Sequence, residues 1–212
     1  LAVYASSSNN EISNLGDEAI DITDTDIEAS EVSLLNTKTT GLITATSITN
    51  LTGTASAIAT LMAAEGDSGD KVNLDGDFTV TVDAGSVAAA DLNTINAKTT
   101  GLVTATAVTV ITGTASDIAT LMAAEGDSGD KVNLDSDFTV TVDAGSVAAA
   151  DLNTINAKTT GLISATNVTN LTGTASAIAT LMAAEGDSGD KVNLDGDFTV
   201  TVDAGSVAAA DL

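Results

Sequence analysis

The sequence contains a block of sixty residues that occurs almost three times in succession. Residues 41–100 and 101–160 differ at only seven positions, and a third, truncated copy runs over residues 161–212. A tandem repeat of this kind predicts modules that each pack on their neighbours rather than around one central core. Residues 17–40 are a degenerate half of the block, and residues 1–16 lie outside it as a linker or a divergent cap.

Each block is itself double. The stretch that begins at Asp91 resembles the stretch that begins at Asp117, and the pattern returns at Asp151 after a longer interval. We therefore expect two unequal coils per block, of about 26 and about 34 residues, each with strand and helix. The predicted fold class is an α/β repeat solenoid, with short parallel strands alternating with short helices in coils similar to those of leucine-rich repeats.

Periodicity places the elements within the block. Alternation of threonine with small apolar residues predicts strands over 102–108 and 138–142, with a short extended piece at 110–111. Thr114, three residues before Asp117, predicts the start of a helix that ends at Gly126. A second helix is expected from Val147 to Lys158, after a turn at 144–146 and an acidic loop at 127–137. Residues 19–35 repeat the strand and helix pattern in a worn form.

Composition excludes several classes of function. The chain has no cysteine, no histidine and 2% aromatic residues, so the sequence predicts neither a disulfide framework nor a thiolate or imidazole site. The formal net charge of −24 opposes binding to nucleic acid and to anionic membranes. No apolar run approaches the roughly 18 residues of a membrane span, so membrane insertion is not expected.

The acidic loop at residues 65–77 is the candidate metal site, and it recurs at 125–137 and 185–197. Carboxylates separated by glycines suit a hard ion such as Ca²⁺, which takes six to eight oxygen ligands in proteins. The loop matches neither an EF-hand nor the calcium-binding nonapeptide. The alternative is a solvated acidic loop that keeps neighbouring chains apart. The candidate ligands are Asp67, Asp70, Asn73, Asp75, Asp77, Asp127, Asp130, Asn133, Asp135, Asp137, Asp187, Asp190, Asn193, Asp195 and Asp197.

Threonines form the second candidate surface. Those at Thr99-Thr100 and on the strands at 79–81 and 104–106 are expected to form an outward polar ladder, which either contacts a surface or glycan or is simply exposed strand residue. Met62, Met122 and Met182 are expected in the core. Nothing in the sequence resembles a nucleophile elbow, a phosphate loop or a zinc cluster, so we expect no enzymatic activity.

The strings DLNTINAKTTGLVTATAV and LTGTASAIATLMA resemble the tandem repeats of very large cell-surface, calcium-associated exoproteins of marine cyanobacteria and related bacteria. Some of those proteins are linked to swimming motility or adhesion. The resemblance covers nearly all of residues 19–212 and implies a location and an architecture, with no catalytic residues to transfer.

The sequence thus favours a structural role: a rod or filament segment of a large secreted or cell-surface bacterial protein, with Ca²⁺ as the candidate ion. The alternative is an adhesin that binds glycans or surfaces through one face of the solenoid. The expected partners are neighbouring repeats of the same longer chain, or other copies in a fibre. Because the sequence stops inside its motif at Leu212, we expect a longer parent chain.

Overall fold

The structure is a computed structural model that describes residues 16–65, 71–125, 131–185 and 191–205. It is an α/β structure in which parallel strands alternate with helices. The helices are α1 (Ala29–Lys38), α2 (Ala55–Ala63), α3 (Ala89–Lys98), α4 (Ala115–Ala124), α5 (Ala149–Lys158) and α6 (Ala175–Ala184). The strands of the first half are β1 (Ile20–Asp21), β2 (Asp26–Glu28), β3 (Ile43–Ala45), β4 (Asn50–Gly53), β5 (Val72–Leu74), β6 (Thr79–Val82), β7 (Gly85–Ala88) and β8 (Val103–Ala105). Those of the second half are β9 (Val108–Gly113), β10 (Val132–Leu134), β11 (Thr139–Val142), β12 (Gly145–Ala148), β13 (Ile163–Ala165), β14 (Val168–Gly173), β15 (Val192–Leu194) and β16 (Thr199–Val202).

The described residues form two compact units. In the first unit, which comprises the described residues among 16–83 and 94–105, β1, β3 and β5 lie side by side in one parallel sheet, and β2, β4, β6 and β8 in another. In the second unit, which comprises the described residues among 84–93 and 106–205, the order β7-β9-β11-β13-β15 makes a five-stranded parallel sheet and β12-β14-β16 a three-stranded one. The sheets are open.

The short and the long segments of the block differ in the number of strands they contain. Only β8 and β9 lie between helices α3 and α4, which bound the short segment. Three strands, β10, β11 and β12, lie between helices α4 and α5, which bound the long segment. The described part of the long segment therefore contains one strand more than the short segment.

Threonine residues cap the amino ends of helices α2 and α4. Thr114 caps α4 by accepting a hydrogen bond from the Asp117 N–H at 3.1 Å, and its hydroxyl donates to the Asp117 carboxylate at 2.8 Å. Thr54 caps α2 in the same way although residue 57 is alanine, so the threonine alone is sufficient. Just before the cap of α4, Gly113 has a φ of 139°, which favours glycine.

Small aliphatic side chains on the inward faces of strands and helices form the core. Val140 and Val142 on β11 are buried, whereas Thr141 between them is exposed, as the alternation predicts. Phe78 and Phe138 are each 1% exposed, and Met62 and Met122 are fully buried. The prediction of core methionines is confirmed at these two positions, and Met182 is half-buried.

The structure corrects three element predictions. The strand predicted over 102–108 is two strands, β8 and β9, because residues 106–107 form a turn. The turn predicted at 144–146 is largely strand β12, so the second helix begins at Ala149 rather than near Val147. The loop predicted over 127–137 contains strand β10. Each missed strand is short and gains its hydrogen bonds from a distant strand, which local periodicity does not report.

Candidate functional site

The described part of each acidic loop consists of a short strand followed by a turn. Asn73 is the exposed middle residue of β5, and its backbone is in register with that of Thr44. Asp75 and Asp77 are exposed, and the Asp75 carboxylate accepts a hydrogen bond from the Gly76 N–H at 2.9 Å. Asp135 makes the same contact with Ser136 at 2.8 Å. The aspartates at these positions therefore shape a tight turn whether or not an ion binds.

The other predicted ligands fall outside the described residues: Asp67, Asp70, Asp127, Asp130, Asp187 and Asp190. Among the residues that the structure describes, no group of three or more histidine, cysteine, aspartate or glutamate side chains is arranged to hold a metal ion. Asn73, Asn133, Asn193, Asp75, Asp135, Asp195, Asp77, Asp137 and Asp197 are all exposed. The calcium site stays a prediction.

The carboxyl ends of the loops at 65–77 and 125–137 are held by the motif Thr-Thr-Gly, which we name the clasp and which comprises residues 39–41, 99–101 and 159–161. In the second unit the Thr159 hydroxyl donates to the Phe138 carbonyl oxygen, and the Gly161 N–H donates back to the Thr159 hydroxyl at 2.9 Å. The Thr160 N–H and hydroxyl both donate to the Ser136 carbonyl oxygen, at 2.7 Å and 3.1 Å. The clasp thus joins one segment to the acidic turn of the segment before it.

The clasp recurs in the first unit. Thr99 donates to the Phe78 carbonyl oxygen, and Thr39 to that of Glu18 at 2.6 Å. Thr39, Thr99 and Thr159 are each 2% exposed and are the only buried polar residues in the described part of the chain. The prediction of an outward position is therefore wrong for Thr99, which faces inward and satisfies a buried carbonyl group, whereas Thr100 is exposed.

Glycine is required in the clasp because two stretches of main chain touch. A Cβ atom on Gly161 would lie 2.2 Å from the Phe138 carbonyl oxygen and 2.7 Å from that of Asp137. A Cβ atom on Gly101 would lie 2.2 Å from the Phe78 carbonyl oxygen, and one on Gly41 2.3 Å from that of Glu18. The requirement is steric, since any side chain would push the clasp off its acceptor.

Lysines bind the carboxyl ends of helices in adjacent segments. Lys98 Nζ lies 2.7 Å from the main-chain oxygen of Glu65, just after α2. Lys191 Nζ lies 2.9 Å from the main-chain oxygen of Asn156 in the last turn of α5. Lys158 makes the equivalent contact with the main-chain oxygen of Glu125, and Lys71 Nζ lies 3.4 Å from the main-chain oxygen of Thr39, just after α1. Four of the six lysines in this acidic chain therefore neutralise helix ends, where the backbone carries partial negative charge.

The outward faces of the strands carry polar rows. In the first unit Asn50 donates to the Asp26 carboxylate at 3.2 Å and accepts from the Thr79 hydroxyl at 3.1 Å. In the second unit Asn170 donates to Ser146 at 3.1 Å and accepts from Thr199 at 2.9 Å. The predicted ladder of strand threonines is present at Thr79, Thr81 and Thr104, since Thr81 and Thr104 are in register, whereas Thr106 lies in a turn.

A cavity of about 120 Å³ lies in the second unit, at the amino ends of α4 and α5. Asp143, Asp151, Ser116 and Ser146 contribute to its lining. Asp151 is in the first turn of α5, where a carboxylate stabilises the helix by its favourable interaction with the helix dipole. Its position therefore has a structural explanation.

The described residues offer little for acid-base chemistry. The Gly16 N–H donates to the exposed Glu18 carboxylate at 2.7 Å and lowers the pKa of that carboxyl group by stabilising its charged form. Three equivalent side-chain oxygens, those of Asn36, Asn96 and Asn156, are buried without a hydrogen-bond partner among the described residues. Each is a single oxygen in the last turn of a helix, so it does not by itself supply the several oxygens that calcium needs.

No family model, curated protein or solved structure matches the chain. None of the helices that the structure describes is long and apolar enough to cross a membrane.

Sequence reasoning missed the clasp and the lysine contacts. Their residues join positions 21 to 35 apart in the chain. A signal was nevertheless present, because the string Lys-Thr-Thr-Gly is unchanged at 38–41, 98–101 and 158–161, although residues 17–40 are otherwise degenerate. Because this short string is unchanged in an otherwise degenerate copy of the repeat, few other side chains are expected to fit at its positions.

Proposed function

We propose that this chain is a rod-forming repeat segment of a large secreted or cell-surface bacterial protein, where it acts as a spacer, stalk or extracellular filament. One helix with two or three strands makes a single coil of a solenoid, and coils stack along the rod. Calcium bound at the acidic loops is the candidate stabilising ion. The extracellular location is part of this proposal and follows from the resemblance of the repeats to those of marine bacterial exoproteins.

The observation that carries the proposal is the recurrence of the clasp. The same three residues bind the same carbonyl positions of the preceding segment at Thr39, Thr99 and Thr159. Each of these contacts joins two neighbouring segments, and its recurrence at intervals of sixty residues supports regular stacking of segments, because added segments need no new complementarity. Stacking of this kind lengthens a chain at constant width, which is the property that a spacer requires.

Small-angle X-ray scattering on chains with increasing numbers of the 101–160 block tests the proposal. Two coils per block and a strand spacing of about 4.8 Å predict that the maximum dimension grows by roughly 10 Å for each block. The cross-sectional radius of gyration should stay constant. A radius of gyration that instead grows as a compact globule, with an exponent of about 0.38 in chain length, would rule out the rod.

The polar rows favour a second function, an adhesin that binds glycans or surfaces through an outward sheet face. Asn50 and Asn170 each connect three strands through side-chain hydrogen bonds, so the row presents fixed donors and acceptors. The two functions predict different effects of block number, since added blocks extend the reach of a spacer but raise the avidity of a binder. Binding of the chain to immobilised glycans should then increase with block number, and Asn170→Val should weaken it. Binding that is absent, or unaffected by Asn170→Val, would remove this candidate.

A further inference from the structure

The acidic turn after β5 brings a main-chain nitrogen against the side-chain carboxyl group of the residue before it. The Gly76 N–H donates to Asp75 Oδ1 at 2.9 Å, and both residues are exposed. The Gly76 nitrogen and the Asp75 Cγ atom are the two ends of a five-membered ring that a single new bond would close, and groups held together in this way react as one molecule. The turn therefore places a nucleophile beside an electrophile within one dipeptide.

Glycine leaves the approach to this carboxyl group open. A Cβ atom at Gly76 would have no other atom within 4 Å, so nothing beyond the dipeptide crowds the nitrogen on that side. In the middle block Ser136 takes the place of glycine, and its N–H donates to Asp135 Oδ1 at 2.8 Å. The two turns thus have the same hydrogen bond and differ in the side chain of the residue that carries the nitrogen. The serine side chain restricts the backbone rotation that ring closure needs, whereas glycine does not.

We propose that Asp75 is a site of spontaneous isomerisation to isoaspartate. The Gly76 nitrogen attacks Asp75 Cγ, and the N–H proton leaves with the carboxyl hydroxyl group as water, so that a cyclic succinimide forms. Water then adds to one of the two ring carbonyl groups. Opening at the side-chain carbonyl restores aspartate, and opening at the main-chain carbonyl leaves residue 76 joined through the side chain, as isoaspartate. The water released in the first step is consumed in the second, and nothing is oxidised or reduced.

Isomerisation at this position alters a contact of the clasp. The Gly76 carbonyl oxygen accepts hydrogen bonds from the Thr100 N–H at 2.8 Å and from the Thr100 hydroxyl at 3.1 Å. Isoaspartate adds one carbon atom to the main chain between the Cα atoms of residues 75 and 76, and this moves the acceptor relative to the clasp. The reaction therefore loosens the contact between two segments of the first unit, whereas Ser136 protects the equivalent contact of the second unit.

The repeat supplies its own matched comparison for an experiment. Trypsin, which cleaves after lysine, releases residues 72–98 and 132–158 as two peptides that differ only in Gly76 and Ser136. The whole chain is incubated for several weeks in heavy-oxygen water and then digested in ordinary water. Electron-transfer fragmentation of the separated peptides distinguishes isoaspartate from aspartate. Isoaspartate should form at Asp75 roughly two- to fivefold faster than at Asp135, which is the rate equivalent of the conformational freedom of glycine, and it should carry one heavy oxygen atom.

Reciprocal substitutions identify the cause of the difference. Gly76→Ser should slow the reaction of Asp75 to the rate of Asp135, and Ser136→Gly should raise the rate of Asp135 to that of Asp75. Each variant introduces the residue that the chain already carries at the equivalent position of another block, so both are expected to fold. Absence of labelled isoaspartate at Asp75, equal rates at Asp75 and Asp135, or an unchanged rate in Gly76→Ser would each overturn the inference.

Hydrogen exchange tests the effect on the clasp. In the isomerised fraction, purified from the incubated chain, the Thr100 amide should exchange roughly fivefold faster than in the unreacted chain, because its hydrogen bond to Gly76 is weakened. The Thr160 amide, whose acceptor is Ser136, is the internal control and should exchange at an unchanged rate. Equal exchange of the Thr100 amide in the two fractions would refute the loosening of the clasp.

Discussion

Substitution of Gly161 by alanine tests whether the clasp holds consecutive segments together. The new Cβ atom would lie 2.2 Å from the Phe138 carbonyl oxygen, so the clasp must retreat by roughly 1 Å to reach even the 3.0 Å limit of real contacts. That movement weakens two hydrogen bonds from Thr160 to Ser136 and leaves the buried Thr159 hydroxyl without its acceptor. An unsatisfied buried group costs about 1–3 kcal/mol and each of the two lost hydrogen bonds about 1 kcal/mol, so Gly161→Ala should destabilise the chain by about 3–5 kcal/mol.

Urea denaturation followed by circular dichroism measures this loss, and Gly196→Ala is the matched control. No atom lies within 4 Å of a Cβ at Gly196, and the middle block carries Ser136 at the same position. The control should therefore stay within about 0.5 kcal/mol of the parent, as surface substitutions usually do. Hydrogen exchange of the Thr160 amide should accelerate in Gly161→Ala alone. Equal stability of the two variants, or an unchanged Thr160 exchange rate, would show that the clasp does not carry the contact.

Three substitutions and one ion test the remaining contacts. Thr159→Val keeps the side-chain shape but removes a buried donor, and we expect a loss of about 1–3 kcal/mol in urea denaturation, against less than about 0.5 kcal/mol for the surface change Thr141→Val. Lys158→Met should cost at most about 1 kcal/mol, since the ion pair with Glu125 is partly exposed, and the difference from the parent should shrink at molar salt. Val110→Asn restores the asparagine of the flanking blocks and should add about 0.5–1 kcal/mol through hydrogen bonds in its row; a loss would contradict the row. Calcium, but not magnesium at matched ionic strength, should raise the melting temperature if the acidic loops bind an ion, and superimposable melts would leave them as solvated turns.

The features that the sequence predicts correctly are those with local signals. Helix α4 starts after Thr114 because the cap lies within three residues of the N–H that it accepts from. Strand β11 follows from the alternation of threonine and valine, and its valines are buried. The worn copy at residues 20–38 also folds as predicted, with Ile20 in a strand and Val32 and Leu35 buried on a helix. Hydrophobic periodicity and capping residues suffice to predict these elements because both signals depend only on residues that are close together in the chain.

The contacts between segments were beyond local reasoning. Threonine at position 159 resembles any polar residue that follows a helix, and only the approach of Phe138, 21 residues earlier, makes it a buried donor. Strand β10, which comprises Val132–Leu134, lies in an acidic stretch and is too short for a periodicity argument. The acidic loops could be predicted as candidate ion sites from composition alone, but composition does not say which carboxylates converge.

The third strand of the long segment determines which residues become neighbours across a sheet. In the second unit Val110 of β9 pairs with Ser86 of β7 on one side and with Thr139 of β11 on the other. Ile163 of β13 pairs with Val192 of β15. In each of these pairs the two residues are fewer than sixty positions apart in the chain. Residues in register across the five-stranded sheet therefore come from different positions of the repeat block.

One row shows the consequence for the candidate site. Thr112, Thr141, Ser164 and Asn193 are in register along the same outward face. The short polar side chain of Asn193 continues this row, and Asn73 continues the equivalent row from Asp21 and Thr44 in the first unit. The row accounts for an asparagine at this position without an ion. If calcium binds the acidic loops, the ligands should therefore be sought among the aspartates, and Asn193→Ser should leave any calcium-dependent rise in melting temperature unchanged while Asp195→Asn reduces it.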